Sequence, residues 1–190
     1  MSEIWREISK FGKKIVSQGL VSSHFGNISA RVGEYMYITR SGSMLDELGE
    51  KDIVKVPIFE HSSLDLIASS ELKVHRLIYQ NTSAMAIIHT HSPFAVTLSL
   101  TRDEIIPVDS EAQYFLHSIP VVRGGIGTEE LGKNLAKALQ KRRAAIARGH
   151  GVFAIGKMLE EAFVVASMVE HSCKVLYHYE LWEKTRENNF

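Results

Sequence analysis

His89 and His91 stand one residue apart after the apolar pair Ile87-Ile88. In a β-strand, residues i and i+2 face the same side, so a strand here presents two imidazoles together. Such a pair supplies two of the three protein ligands of a catalytic zinc site, whose fourth position stays open for water or substrate. The same spacing also describes two strand-end histidines bonded to backbone. His150 lies between Gly149 and Gly151, where missing side chains let the chain approach a neighbouring element closely. It is placed to give a third ligand from an adjacent strand; in the alternative, the glycines serve only the turn and the imidazole is exposed. Glu71 follows Ser69-Ser70 at a helix start, with His75 one turn later on the same helix face. A carboxylate beside a metal acts as general base or fills the open position until substrate arrives. Its competing role is a helix cap favoured by the dipole.

Three small polar pairs add to these: Gly26-Asn27, Ser41-Gly42 and Ser69-Ser70. Each alone is a turn. Gathered by a fold, their amides and hydroxyls, with a helix N-terminus, make an anion cradle suited to a phosphate group. The six residues contain no cation, so the cradle is expected to be neutral in character, with only Arg40 beside it. His24 flanks the first pair. His61, His117, His171 and His178 have no partner spacing and read as surface or packing residues.

The elements that must position these groups follow from periodicity. Residues 2–18 carry Ile4, Trp5, Ile8, Phe11 and Ile15 at helical spacing, and Gly19 suits the position after the helix. Strands are predicted over 26–29, 35–38, 53–56, 84–89, 105–108, 119–122, 144–147 and 152–155. Helices are predicted from Ser70 to about Tyr79, after Pro93, from Thr128 to about Lys141, and over 159–184. Strand pairs mixed with helices that can cover both faces imply one α/β domain over residues 1–190, a three-layer α/β/α sandwich with a mainly antiparallel sheet.

Composition narrows the function classes. The 190 residues hold 22 Lys+Arg and 22 Asp+Glu, a neutral balance unlike that of nucleic-acid or anionic-membrane binders. The basic run Lys141-Arg142-Arg143 reads as a helix C-terminal cap. No apolar run approaches the ~20 residues of a membrane helix. Glu3, Arg6 and Glu7 interrupt the N-terminal apolar residues, unlike a signal peptide. Cys173 is the single cysteine, so no internal disulfide forms and a reducing, cytoplasmic location is expected.

Taken together, the motifs Gly26-Asn27-Ile28-Ser29, Ile38-Thr39-Arg40-Ser41-Gly42, Ala68-Ser69-Ser70-Glu71, Ile88-His89-Thr90-His91 and Gly149-His150-Gly151 resemble the class II aldolase family. That family is typified by L-fuculose-1-phosphate aldolase, with L-ribulose-5-phosphate 4-epimerase as a relative. The match is nearest the short archaeal-type aldolases, through Ser22-Ser23-His24 and Pro107-Val108-Asp109-Ser110-Glu111. The resemblance implies His89, His91 and His150 as ligands of one zinc ion per subunit and Glu71 as the catalytic acid/base. It implies Gly26, Asn27, Ser41, Gly42, Ser69 and Ser70 as the holders of the substrate phosphate. It further implies cleavage of a phosphorylated ketose to dihydroxyacetone phosphate and an aldehyde such as lactaldehyde, through a metal-stabilised enediolate, in a cyclic homotetramer with active sites at subunit interfaces. The chain departs from the pattern at Arg40 and Ser41, where the fuculose-type aldolase has proline and threonine. The family's tyrosine proton donor aligns with Glu111, with Tyr114 nearby, and the C-terminal extension is short.

Three neutral imidazoles leave zinc its full charge for polarising a ketose carbonyl, and no lysine Schiff base is needed. A phosphoketopentose 4-epimerase uses the same metal, but the related epimerase tends to have aspartate where this chain has Glu71. A methylthioribulose-1-phosphate dehydratase shares the triad and is separated by its product. A structural-zinc or ligand-binding module is the non-enzymatic alternative; structural zinc prefers four ligands, commonly with cysteine, and only Cys173 is present.

Overall fold

Apolar residues at helical spacing bury Ile8, Phe11 and Ile15 on one side of α1 (Ile4–Ser17), which ends before Gly19 as the spacing predicts. The computed structural model describes residues 3–22 and 24–187. The predicted helix start at Ser2, and Ser23 of the archaeal-type motif, lie outside them. Strands β1 (Asn27–Val32), β2 (Tyr35–Thr39) and β3 (Ile53–Pro57) form a meander. Then follow α2 (Leu72–Asn81), β4 (Ala86–Thr90), α3 (Pro93–Ser99), β5 (Glu104–Ile105) and α4 (Ser110–Phe115). The chain continues with β6 (Ile119–Val122), α5 (Glu129–Leu139), the hairpin β7 (Ala144–Ala147) and β8 (Gly151–Gly156), and α6 (Leu159–Glu187).

The strands make one eight-stranded sheet in the order β3-β2-β1-β4-β8-β7-β6-β5. Every neighbouring pair is antiparallel except β6 and β7. Alternation along β4 sends Ile88 to one face and Ile87 to the other. Ile88 packs in a core with residues of α1, α3 and α6, and Ile87 in a second core with α2 and α5. Helices therefore cover both faces, which is why β4 is buried along its whole length. The three-layer, mainly antiparallel sandwich expected from the sequence is the fold observed.

Three local expectations are corrected. Of the strand predicted over 105–108 only Ile105 belongs to β5, because Pro107 offers no amide and Ile106 and Val108 lie exposed. A short helix, α4, follows instead, capped by Asp109, whose carboxylate accepts the Ala112 amide. Only Ala112 of that helix is buried, too little to leave a periodic signal. Helix α5 stops at Leu139, short of Lys141; Lys141 N–H donates to the Ala138 carbonyl, Arg142 donates to Ser118 Oγ and the Lys141 carbonyl, and Arg143 pairs with Glu161.

Antiparallel registry gathers four strand ends at one edge. Asn27 at the start of β1 lies opposite His89 near the end of β4, and His89 lies opposite Phe153 near the start of β8. The loop after β2 and the β7–β8 hairpin open at the same edge.

Candidate active site

His89, His91 and His150 converge. Their ring centroids are 4.7 to 4.8 Å apart in all three pairings. Nε2 of His89 and Nε2 of His91 are 3.1 Å apart. Two nitrogens on a tetrahedral zinc, each ~2.0–2.1 Å from it, stand about 3.3–3.4 Å apart, so the pair is spaced as ligands. His89 Nδ1–H donates to the Val152 carbonyl at 3.0 Å, which fixes the ring and turns the Nε2 lone pair inward. Phe153 stacks on His89 with centroids 4.0 Å apart, and Phe25 stacks on His91 at 5.1 Å. Gly151 makes the convergence possible, since a Cβ there would lie 2.2 Å from the Thr90 carbonyl oxygen and 2.9 Å from His89 Cε1. Nδ1 of His150 is buried without a partner.

Electrostatics suit the same use. Burial, and then the neighbouring His150 and His91, hold His89 well below the ordinary imidazole range. Burial and then His150 bring His91 down to about 4, and burial lowers His150. All three are neutral near pH 7, the form that ligates a cation. Among the described residues, this is the one cluster of three or more histidine, cysteine or acidic side chains arranged to hold a metal. The donor set fits a divalent ion with a position left open.

Glu71 occupies the N-cap position of α2, yet its carboxylate makes no capping bond to that helix. Oε1 instead accepts the Gly127 amide at 2.9 Å, and Oε2 is buried without a partner. The residue is 2% exposed, and desolvation lifts its pKa to about 7 against the opposing pull of the Gly127 N–H. Just before the helix, Ser69 Oγ accepts the Glu71 amide at 3.2 Å and the Ser69 carbonyl accepts the Leu72 amide at 2.9 Å. His75 turns away from Glu71 and shares Ser29 Oγ with Tyr79, each at 2.7 Å. Burial takes His75 down to about 3, and it does not line the cavity.

All ten residues singled out in the sequence line one cavity of about 460 Å³. The small polar pairs meet because the chain after β2 runs beside the chain before α2. Ser69 N–H donates to the Thr39 carbonyl at 3.0 Å, Ser41 N–H to that of Ile67 at 3.1 Å, and Arg40 bridges to Ala68. Ser41, Gly42 and Ser70 are exposed in the cavity; Asn27 and Ser69 are buried at its floor. His24 also lines it. Glu111 and Tyr114, on α4, do not, so within this chain neither faces the histidines.

Sequence reasoning missed one part of the cavity wall. The loop Gly124-Gly125-Ile126-Gly127 reads as a plain turn, but it brings Ile126 into the cavity and the Gly127 amide onto Glu71. Gly127 has φ +67°, and a Cβ there would lie 2.7 Å from the Ser70 carbonyl oxygen. That glycine was a legible signal without a visible partner. Phe25, Val152 and Phe153, which orient the imidazoles, carry ordinary packing or backbone groups and leave no motif.

The fold and the converging site define a known class. The class II aldolase and adducin N-terminal domain family matches residues 6–177, and this chain belongs to it. The chain is similar to an L-fuculose phosphate aldolase of Methanococcus maripaludis, 31% identical over 80% of this chain and 84% of that protein. A 5-deoxy-D-ribulose 1-phosphate aldolase of Bacillus thuringiensis is 30% identical over 90% of this chain and 83% of its own length. The crystal structure of an L-fuculose-1-phosphate aldolase from Thermus thermophilus superposes with a TM-score of 0.92 at 33% identity, covering 97% of both chains. Class II aldolases are metal-dependent, and among the described residues the His89, His91 and His150 cluster could hold a metal ion.

Proposed function

We propose that residues 1–190 form one aldolase domain that reversibly cleaves a phosphorylated ketose of the L-fuculose 1-phosphate type to dihydroxyacetone phosphate and a short aldehyde. One observation carries this reading: a single cavity holds three neutral imidazoles, a buried unpaired carboxyl and a cradle of amides and hydroxyls. His89, His91 and His150 would hold one zinc ion. When bound, the metal supplies Lewis-acid polarisation of the ketose carbonyl and electrostatic stabilisation of the charge left when the carbon–carbon bond breaks.

The residues of the chain do the rest. Gly26, Asn27, Ser41, Gly42, Ser69 and Ser70 hold the phosphate, which orients the ketose without taking part in bond breaking. Ser69 Oγ already accepts the Glu71 amide, so its own proton is available to a phosphate oxygen. Glu71 moves the proton on the dihydroxyacetone-phosphate carbon: ionised, it removes that proton in synthesis; protonated, it returns it in cleavage. A carboxyl near pKa 7 serves both directions at neutral pH.

The proton on the aldehyde side needs another group. Glu111 and Tyr114 lie outside this chain's own cavity. That supports a homotetramer in which α4 of a neighbouring copy completes the site. Tyr177, Tyr179 and Trp182 on the exposed end of α6 offer aromatic surface for such packing. Light scattering at micromolar concentration is expected to give four chains, and a fully active monomer contradicts it. The expected location is the cytoplasm, and no helix among the described residues is long and apolar enough to cross a membrane.

The deciding experiment measures bound metal by elemental analysis and then identifies products from phosphoketoses. One zinc per chain, with dihydroxyacetone phosphate and lactaldehyde from L-fuculose 1-phosphate, is expected. Cleavage of 5-deoxyribulose 1-phosphate instead would keep the chemistry and change the sugar, a reading the Bacillus thuringiensis relative favours. Stereochemical inversion at carbon 4 would make the protein an epimerase, and loss of water from methylthioribulose 1-phosphate a dehydratase. Bound metal without turnover of any phosphoketose would leave only a binding module.

A further inference from the structure

Among the described residues lining the cavity, Arg40 alone carries a permanent positive charge. The β1–β2 register ends at Ser29 and Ile38; beyond it residues 67–69 take the place of β1 beside the chain leaving β2, with Arg40 paired to Ala68, while Asn27 lies opposite His89. Alternation along β2 puts Arg40 on the face of Met36 and Ile38, the face that carries Asn27 and His89. Its backbone is fixed there: Arg40 N–H donates to the Asp52 carbonyl at 2.7 Å, and the bridge to Ala68 holds the other side. Arg40 thus stands beside the cradle segment 67–69, on the sheet face that carries His89, and lines the same cavity.

No side chain among the described residues pairs with this charge. Arg31, Arg76, Arg102, Arg142 and Arg148 are each anchored by their guanidinium groups to carbonyl, hydroxyl or carboxylate oxygens. Arg40 is exposed, and its guanidinium has no hydrogen bond or ion pair among the described residues. Three buried polar atoms of residues lining the same cavity, Asn27 Oδ1, Glu71 Oε2 and His150 Nδ1, also have no partner, and Asn27 is only 5% exposed. Most buried polar atoms are paired, and three of the five unpaired side-chain atoms among the described residues gather here, which marks a space shaped for a polar ligand.

We propose that Arg40 closes over the phosphate held by Ser41, Gly42, Ser69 and Ser70 and selects phosphate monoester dianions. The guanidinium fork matches two phosphate oxygens, which backbone amides and hydroxyls alone do not neutralise. The inference rests on the cavity being a phosphoketose site, and it makes the cradle cationic where the sequence alone suggested a neutral one. Binding then weakens with added salt, and it weakens below pH ~6, where the monoester becomes a monoanion.

The test uses metal-replete protein and orthophosphate as the probe, measured by calorimetry and as a competitive inhibitor. R40A is expected to weaken orthophosphate binding and raise KM for the phosphorylated ketose by about ten- to a hundredfold. Metal content should stay unchanged and kcat within a few-fold of wild type. R40K, which keeps the charge without the fork, should recover part of the loss. R40A binding orthophosphate as tightly as wild type overturns the proposal. So does an equal loss on phosphorylated and unphosphorylated ketose, which would make Arg40 a loop-shaping residue. If wild type itself binds no orthophosphate and cleaves no phosphoketose, the cavity reading falls and takes this inference with it.

Discussion

Alanine at His89, His91 or His150 is expected to abolish stoichiometric metal binding and to lower turnover by at least about a thousandfold. Several kcal/mol of charge stabilisation depend on the metal, and each ~1.4 kcal/mol is tenfold in rate. The chain should stay folded, because both cores are built from other residues. His89→Ala is the most disruptive of the three, since it leaves space beside Phe153 and frees the Val152 carbonyl. His91 and His150 are half-buried and cost less. Elemental analysis and circular dichroism on each variant separate the two effects. Full metal content in any one variant removes that histidine from the ligand set. The pH profile has a definite sign. Protons compete with metal only where an imidazole is charged, and burial has lowered all three pKa values. Free imidazole charges near pH ~6.5, whereas His91 does so only at about 4, so metal should be retained well below pH 6.

How much of this was legible in the sequence depends on whether a residue's signal was local. His89 and His91 sit on a strand whose apolar run was plain, and the glycines around His150 announced a close approach. Gly151 does permit one, against Thr90 and His89. The three polar pairs were visible as turns, but nothing local said that 39–41 would run beside 67–69; long-range backbone bonds bring them together. The partners that tune the site were hidden for the same reason. A backbone amide from Gly127 and a carbonyl from Val152 have no residue type to recognise, although they set the environment of Glu71 and His89. Helix α4 escaped because a short helix with one buried residue has no period to detect.

Glu71→Gln is expected to keep metal and phosphate binding while losing about 10²–10⁴-fold in kcat, the usual worth of a positioned acid/base. The amide has nearly the same shape, and its carbonyl can still accept the Gly127 N–H. It cannot take up or return a proton. For wild type, activity in the synthetic direction should rise with pH through about 7, because only the ionised carboxyl removes the carbon-bound proton. Stability should move the opposite way. A carboxyl raised from 4.5 to about 7 favours the folded state fully below 4.5, and that advantage is lost as pH rises through 7. Above that pH, keeping the ionised group buried costs the metal-free protein about 3 kcal/mol. Glutamine carries no charge to bury. Metal-free Glu71→Gln should therefore melt several degrees higher than metal-free wild type at pH 8, while the difference shrinks towards pH 5. A variant that is inactive and no more stable at pH 8 would mean that the carboxylate is already compensated in the folded chain. Turnover within a few-fold of wild type would place the proton transfer on another group, with Glu111 of a neighbouring copy the next to test. Both results expected together would identify Glu71 as a group kept in an unfavourable place because the reaction needs it there.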